Sequence, residues 1–167
     1  GYPVYFVSFF PAPCPGQTLV DVLHALRSFT DEVLARHPGK LPILYGNCQA
    51  GWAAILLALH CQGALGPVVL NGSPLSYWSG EAGVNPMRLA GGLVGGVWPV
   101  RLLADLGDGQ FDGAWLVQNF EGQNPANTLW TKQYNLYSKV DTEAPRYLGF
   151  EKWWGGHVNL NAEEMQW

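Results

Sequence analysis

Pro42-Ile-Leu-Tyr-Gly46-Asn47-Cys48-Gln49-Ala50-Gly51-Trp52-Ala-Ala-Ile-Leu-Leu-Ala-Leu59 decides the fold. A short apolar run, Pro42 to Tyr45, reads as a strand. Trp52 to Leu59 is apolar all round, which marks a helix buried between layers. Six residues join them, Gly46 to Gly51, too few for anything but a tight strand-to-helix turn. That is the layout of a nucleophile elbow, in which a strained turn presents one reactive side chain. Cys48 is the residue placed to be that nucleophile. Gly46 two positions before it and Ala50 two after avoid clashes, and Gly51 gives the helix room to approach the strand. A thiol beside a helix N-terminus sits where the dipole favours its anion. The backbone N–H of Gln49 would be one oxyanion donor. The competing reading makes Cys48 an ordinary buried cysteine, a common fate for a free thiol. A phosphate-binding loop fits poorly, because no Gly-Lys-Ser/Thr follows.

The flanks extend the pattern. Pro3 to Phe9 is β-branched, aromatic and apolar except at Ser8, and reads as a strand buried on both faces. Pro11 to Gly16 is a loop. A helix follows, with Thr18 and Asp21 as its capping box and Leu19, Val22, Leu23, Leu26, Val33 and Leu34 as its apolar face; Pro38-Gly39 ends it. Pro67 to Leu70 is a third strand, closed by Asn71-Gly72-Ser73-Pro74. This βαβαβ order predicts an α/β fold with parallel strands and right-handed crossovers. Residues 1–75 form that core. Residues 76–167 read as a cap, with helical patches around 86–106, 111–120 and 142–154 and glycine pairs at 91–92 and 95–96.

Composition narrows the function. The chain has 167 residues, 48% apolar and 13% charged, the latter about half the usual ~25%. That excludes a disordered chain and a coiled coil. A net charge of −4 with nine Lys and Arg argues against a nucleic-acid partner, which needs a basic face. Cys14, Cys48 and Cys61 form neither a disulfide framework nor a metal-ligand spacing, so no metal is expected and a reduced, cytoplasmic setting fits best. The uncharged stretch around the glycines is too short for the ~20 residues that span a bilayer. Gly1 and Trp167 read as cuts through a longer protein.

Gly46-Asn47-Cys48-Gln49-Ala50-Gly51 resembles the lipase-like box of polyhydroxyalkanoate synthases, in which Cys replaces the hydrolase serine. The runs "GYPVYFVSFFP", "NGSPLSYW" and "LVQNFEGQNPANTLW" resemble that family's strand before the crossover helix, strand end and cap. "NPANTLWTKQYNLYSKVDTEAPR" and "LNAEEMQW" are similar to a bacterial family described as poly(3-hydroxyalkanoate) synthetase-like. The resemblance implies a partial α/β hydrolase fold and acyl transfer from a hydroxyacyl-CoA thioester or ester through an acyl-cysteine. CoA would be a released product, with no cofactor, and a homodimer is a further implication. Ala50 departs from the family's glycine.

The same resemblance places the acid and His of a triad after the cap, beyond residue 167, and the second oxyanion donor before residue 1. Among the histidines, His24 and His37 precede the nucleophile, and His60 lies about 18 Å along the helix at 1.5 Å per residue. His157 is the one base candidate in the right order. The 167-residue chain alone is therefore expected to be inactive. The resemblance also puts a missing strand between Pro3–Phe9 and Pro42–Tyr45, so those two should stay unpaired or pair non-natively, whereas Pro42–Tyr45 and Pro67–Leu70 should be neighbours in either case. Three functions follow: acyltransferase, hydrolase with water as acceptor, or non-catalytic binding module. The eight Trp either line an acyl channel or pack the cap.

Overall fold

A computed structural model describes residues 1–73, 75–76, 93–94 and 96–166. The glycines at 91, 92 and 95, Trp78, Trp167 and much of the patch expected at 86–106 lie outside the described residues. The chain is a mixed α/β protein that divides into two compact units: Gly1–Ser8 with Gln17–Trp98, and Phe9–Gly16 with Pro99–Gln166. The boundary drawn from the sequence at 75/76 falls inside the first of these.

The first unit is built on helix α1 (Leu19–Arg36), strand β1 (Leu44–Asn47), helix α2 (Ala50–His60) and strand β2 (Val68–Asn71). Thr18 and Asp21 form the expected capping box: Thr18 N and Oγ1 donate to Asp21 Oδ2 at 2.8 and 2.7 Å, and Asp21 N donates to Thr18 Oγ1 at 3.4 Å. These bonds hold the Asp21 carboxyl below its ordinary pKa, with the Thr18 side chain as the largest cause. Helix α1 stops at His37, before Pro38-Gly39, as the sequence predicts.

Strands β1 and β2 run parallel, with Leu44 opposite Val68 and Asn47 opposite Asn71. The pairing expected between Pro42–Tyr45 and Pro67–Leu70 is therefore present, shifted toward the C-terminal ends. The strand expected at Pro3–Phe9 is absent. Residues 1–10 form no regular secondary structure and are exposed. Their link to the unit includes the Tyr5 hydroxyl on His37 Nε2 at 2.8 Å. A β-prone run becomes a strand only against a neighbour that takes up its N–H and C=O groups, and among the described residues β1 bonds only β2 in this sheet. The full βαβαβ unit is thus reduced to βαβ.

Burial corrects a second expectation. Helix α2 covers one stripe, Gly51, Ala54 and Leu57, whereas Trp52 and Leu59 are exposed. Strand β2 is exposed along all four residues. A helix apolar on every side is expected to be buried on every side; here one strand pair and α1 cover only the side facing them.

The second unit, which holds all of α3 (Trp98–Leu106) but its first residue, is mainly helical and continues with α4 (Ala114–Gly122), a π-helix (Ala126–Thr131), α5 (Lys132–Ser138), α6 (Val140–Trp154) and α7 (Ala162–Gln166). Two-residue strands β3 (Gln110–Phe111) and β4 (Leu160–Asn161) pair antiparallel, in a region where the sequence shows no strand run. Ala104 and Phe111 are its buried apolar residues. Lys132 Nζ pairs with Glu151 and lies 5.1 Å from the centroids of both Tyr147 and Phe150. Trp98, Trp115, Trp130 and Trp153 are exposed, so they do not pack an interior.

Candidate active site

Strand β1 ends at Asn47 and helix α2 begins at Ala50, so Cys48 and Gln49 make the whole connection. Cys48 has φ +52°. That left-handed conformation costs a side chain with a Cβ about 1–2 kcal/mol. Gln49 already has helical angles, φ −60° and ψ −26°, and Gly51 N donates to Cys48 O at 3.1 Å, closing the turn. Cys48 is a free, exposed thiol, whereas Cys61 is the buried one. The buried-cysteine alternative therefore applies to Cys61.

The sequence permits this turn because two positions carry no side chain. A Cβ on Gly46 would stand 2.8 Å from Gly51 Cα, 2.9 Å from Ala54 Cβ and 3.0 Å from Ala50 O. A Cβ on Gly51 would stand 2.0 Å from Ser73 Oγ and 2.1 Å from Ser73 Cβ. Strand, helix and the segment after β2 thus meet at two glycines. Ala50 is exposed, and its methyl group is accommodated at the surface. Gln49 stands at the start of α2, where the first N–H groups have no partner within the helix.

The segment leaving β2 holds the turn from the side. Cys48 N donates to Asn71 O at 2.8 Å. Asn71 Nδ2 donates to Asn47 Oδ1 at 2.8 Å. Ser73 Oγ donates to Gly46 O at 3.2 Å. Three successive residues, Gly46, Asn47 and Cys48, are therefore each bonded to Asn71 or Ser73. Spacing along the chain does not reveal these partners, which read only as a strand-closing Asn-Gly-Ser-Pro. The usable signal is the parallel register, which brings the C-terminal ends of β1 and β2 together.

His157, the one base candidate by chain order and otherwise read as a polar cap residue, belongs to the second unit. Both of its ring nitrogens face acceptors: Nδ1 meets Gly155 O at 3.0 Å and Nε2 meets Asp112 Oδ1 at 3.2 Å. Asp112 Oδ1 also accepts from Ala114 N at 2.8 Å, at the start of α4. His60, at the end of α2, packs against His24 with ring centroids 5.7 Å apart. No cluster of His, Cys, Asp or Glu among the described residues could hold a metal ion. No helix among them is long and apolar enough to cross a membrane.

Comparison with known proteins bears on the same chain. Residues 1–167 match the family described as Protein of unknown function (DUF3141). The chain belongs to that family. The chain is similar to a Rhizobium meliloti protein named "Uncharacterized protein in ackA 5'region", 63% identical over 169 residues. The match covers 99% of this chain and 23% of that relative, so the DUF3141 chain spans about a quarter of the relative's length. No solved structure matches it.

Proposed function

We propose that this DUF3141 chain is the nucleophile-and-cap segment of a cysteine-dependent acyltransferase with a partial α/β hydrolase fold. The observation that carries this is the exposed Cys48 thiol at φ +52° on a two-residue strand-to-helix connection. A left-handed non-glycine residue at such a junction is a cost that surroundings must hold in place, and such costs cluster at functional sites. The family resemblance of residues 46–51 supplies the substrate class, hydroxyacyl thioesters or related esters.

In the proposed reaction, Cys48 Sγ attacks the acyl carbonyl and forms the S–C bond. The carbonyl oxygen becomes an oxyanion that the Gln49 N–H stabilises. Collapse of this intermediate expels the CoA thiol and leaves acyl-Cys48. A hydroxyl group of a second acyl unit then takes the acyl group and regenerates the thiol. The acid and His that move the protons are assigned to sequence outside residues 1–167, and His157 has no part in the scheme. A free Cys48 fits a reducing, cytoplasmic setting.

The test is incubation of the full-length protein with 3-hydroxybutyryl-CoA. Thiol release is followed by absorbance and the Cys48 peptide by mass spectrometry. Acyl-Cys48 with oligoester products supports the transferase; acyl-Cys48 with free hydroxy acid assigns a hydrolase. Thiol release that persists in Cys48→Ala refutes the nucleophile. Absence of release would favour a binding module.

A further inference from the structure

The Asn71 carboxamide is a feature of the turn that the chemistry above does not use. Asn71 lies opposite Asn47 in the parallel register and touches the turn twice. Its carbonyl accepts from Cys48 N at 2.8 Å, and its side-chain amide donates to Asn47 Oδ1 at 2.8 Å. The backbone bond would survive almost any substitution at 71. The side-chain bond requires a side chain that carries a hydrogen-bond donor within reach of Asn47 Oδ1. Ordinary strand pairing does not call for it, since the ladder closes through backbone groups alone.

We propose that Asn71 is a positioning residue for Cys48. Its carboxamide anchors the Asn47 side chain, so the Asn47–Cys48 peptide cannot rotate out of the left-handed turn and the thiol stays at the start of α2. A residue held at positive φ keeps that conformation only while its neighbours over-determine it. Here the neighbours are the two Asn71 contacts and the Ser73–Gly46 bond. Removing the Asn71–Asn47 bond leaves the turn in place but lowers the fraction of molecules with the thiol correctly set. One ordinary hydrogen bond corresponds to about a fivefold change in the ratio of correctly set to displaced thiol, and the set fraction falls by that factor once the displaced state predominates. The proposal rests on Cys48 being the nucleophile.

The experiment uses the full-length protein and p-nitrophenyl acetate, a small activated ester. Cys48 Sγ bonds to the acetyl carbon, the C–O bond breaks, p-nitrophenolate leaves and the thiol proton passes to solvent. The rate is read from p-nitrophenolate and the site from the acetylated Cys48 peptide. Asn71→Leu, Asn47→Leu and the double variant are compared with wild type, with melting temperature as a folding control. Using both singles keeps the test decisive if one variant fails to fold. The expected result is an about fivefold fall in maximal acylation rate in each single variant, with half-saturation unchanged. The double variant should be no slower than either single, because both remove the same bond. Unchanged rates in the singles, or an about 25-fold fall in the double, would overturn the proposal while leaving the nucleophile intact. Absence of acetyl-Cys48 in the wild type would overturn the nucleophile assignment, and the positioning role with it.

Discussion

Replacing Gly51 by alanine should be harmful in one background and harmless in another. Alanine is the better helix former by about 1 kcal/mol, so at an open helical site the change would stabilise. At position 51 the new Cβ would stand 2.0 Å from Ser73 Oγ and 2.1 Å from Ser73 Cβ, where carbon atoms normally rest about 3.5–4.0 Å apart. Rotating Ser73 moves its Oγ but not its Cβ, so the backbone after β2 must withdraw from α2. Overpacking of this kind costs about 1–3 kcal/mol. Withdrawal also weakens the Ser73–Gly46 bond, worth about 1 kcal/mol. Gly51→Ala should therefore destabilise by about 2–4 kcal/mol. With Ser73→Gly in place, the nearest remaining atom of residue 73 is its Cα at 3.5 Å, an ordinary contact. There, Gly51→Ala should be neutral or stabilising. With Ser73→Ala it should stay harmful, because the offending Cβ is kept. The assay is urea unfolding followed by far-UV circular dichroism, comparing midpoints at constant slope. A Gly51→Ala cost below about 0.5 kcal/mol, or an equal cost in the Ser73→Gly background, would refute the close approach of α2 to the segment after β2.

Gly46→Ala should behave differently: two of its three close neighbours are backbone atoms, so no side-chain truncation rescues it, including Ala54→Gly. Its midpoint loss should persist in that double variant. Leu57, 3% exposed, should lose about 2–5 kcal/mol on Leu57→Ala, read by the same unfolding assay. The Asp21 cap sets an acid limit. Its folded pKa is depressed, so its contribution is complete above the unfolded value of 3.8 and is lost as pH falls through the lower folded value. Acid titration of helicity should show this step in wild type, and Asp21→Ala should lack it.

Much of the first unit is legible in the sequence because its signals are local. Thr18 and Asp21 lie one helical turn apart. Gly46, Ala50 and Gly51 bracket Cys48 within six positions, so the turn can be read from spacing alone. The partners of that turn are not legible. Asn71 and Ser73 lie 24 and 27 residues from the groups they hold, and only the parallel register brings them there. Pro3–Phe9 fails for the opposite reason: its local signal for a strand is strong, but strand formation depends on a pairing neighbour that no local signal reports. The π-helix at Ala126–Thr131 and the two-residue strands escape because such short elements follow from tertiary context, not from periodicity. His157 stands out by chain order, which says nothing about the acceptors at Gly155 and Asp112.

The left-handed backbone of Cys48 also makes the position a point of trade-off between stability and chemistry. Glycine adopts such angles without penalty, so by conformation alone it is the best occupant of position 48, and it has no thiol. Cys48→Gly should therefore outlast wild type on heating, whereas Cys48→Ala, which keeps the Cβ, should not. A chemically silent control at this turn is therefore not automatically a conformationally neutral one. Any comparison of mutant activities here has to separate the loss of sulfur from the release of the backbone.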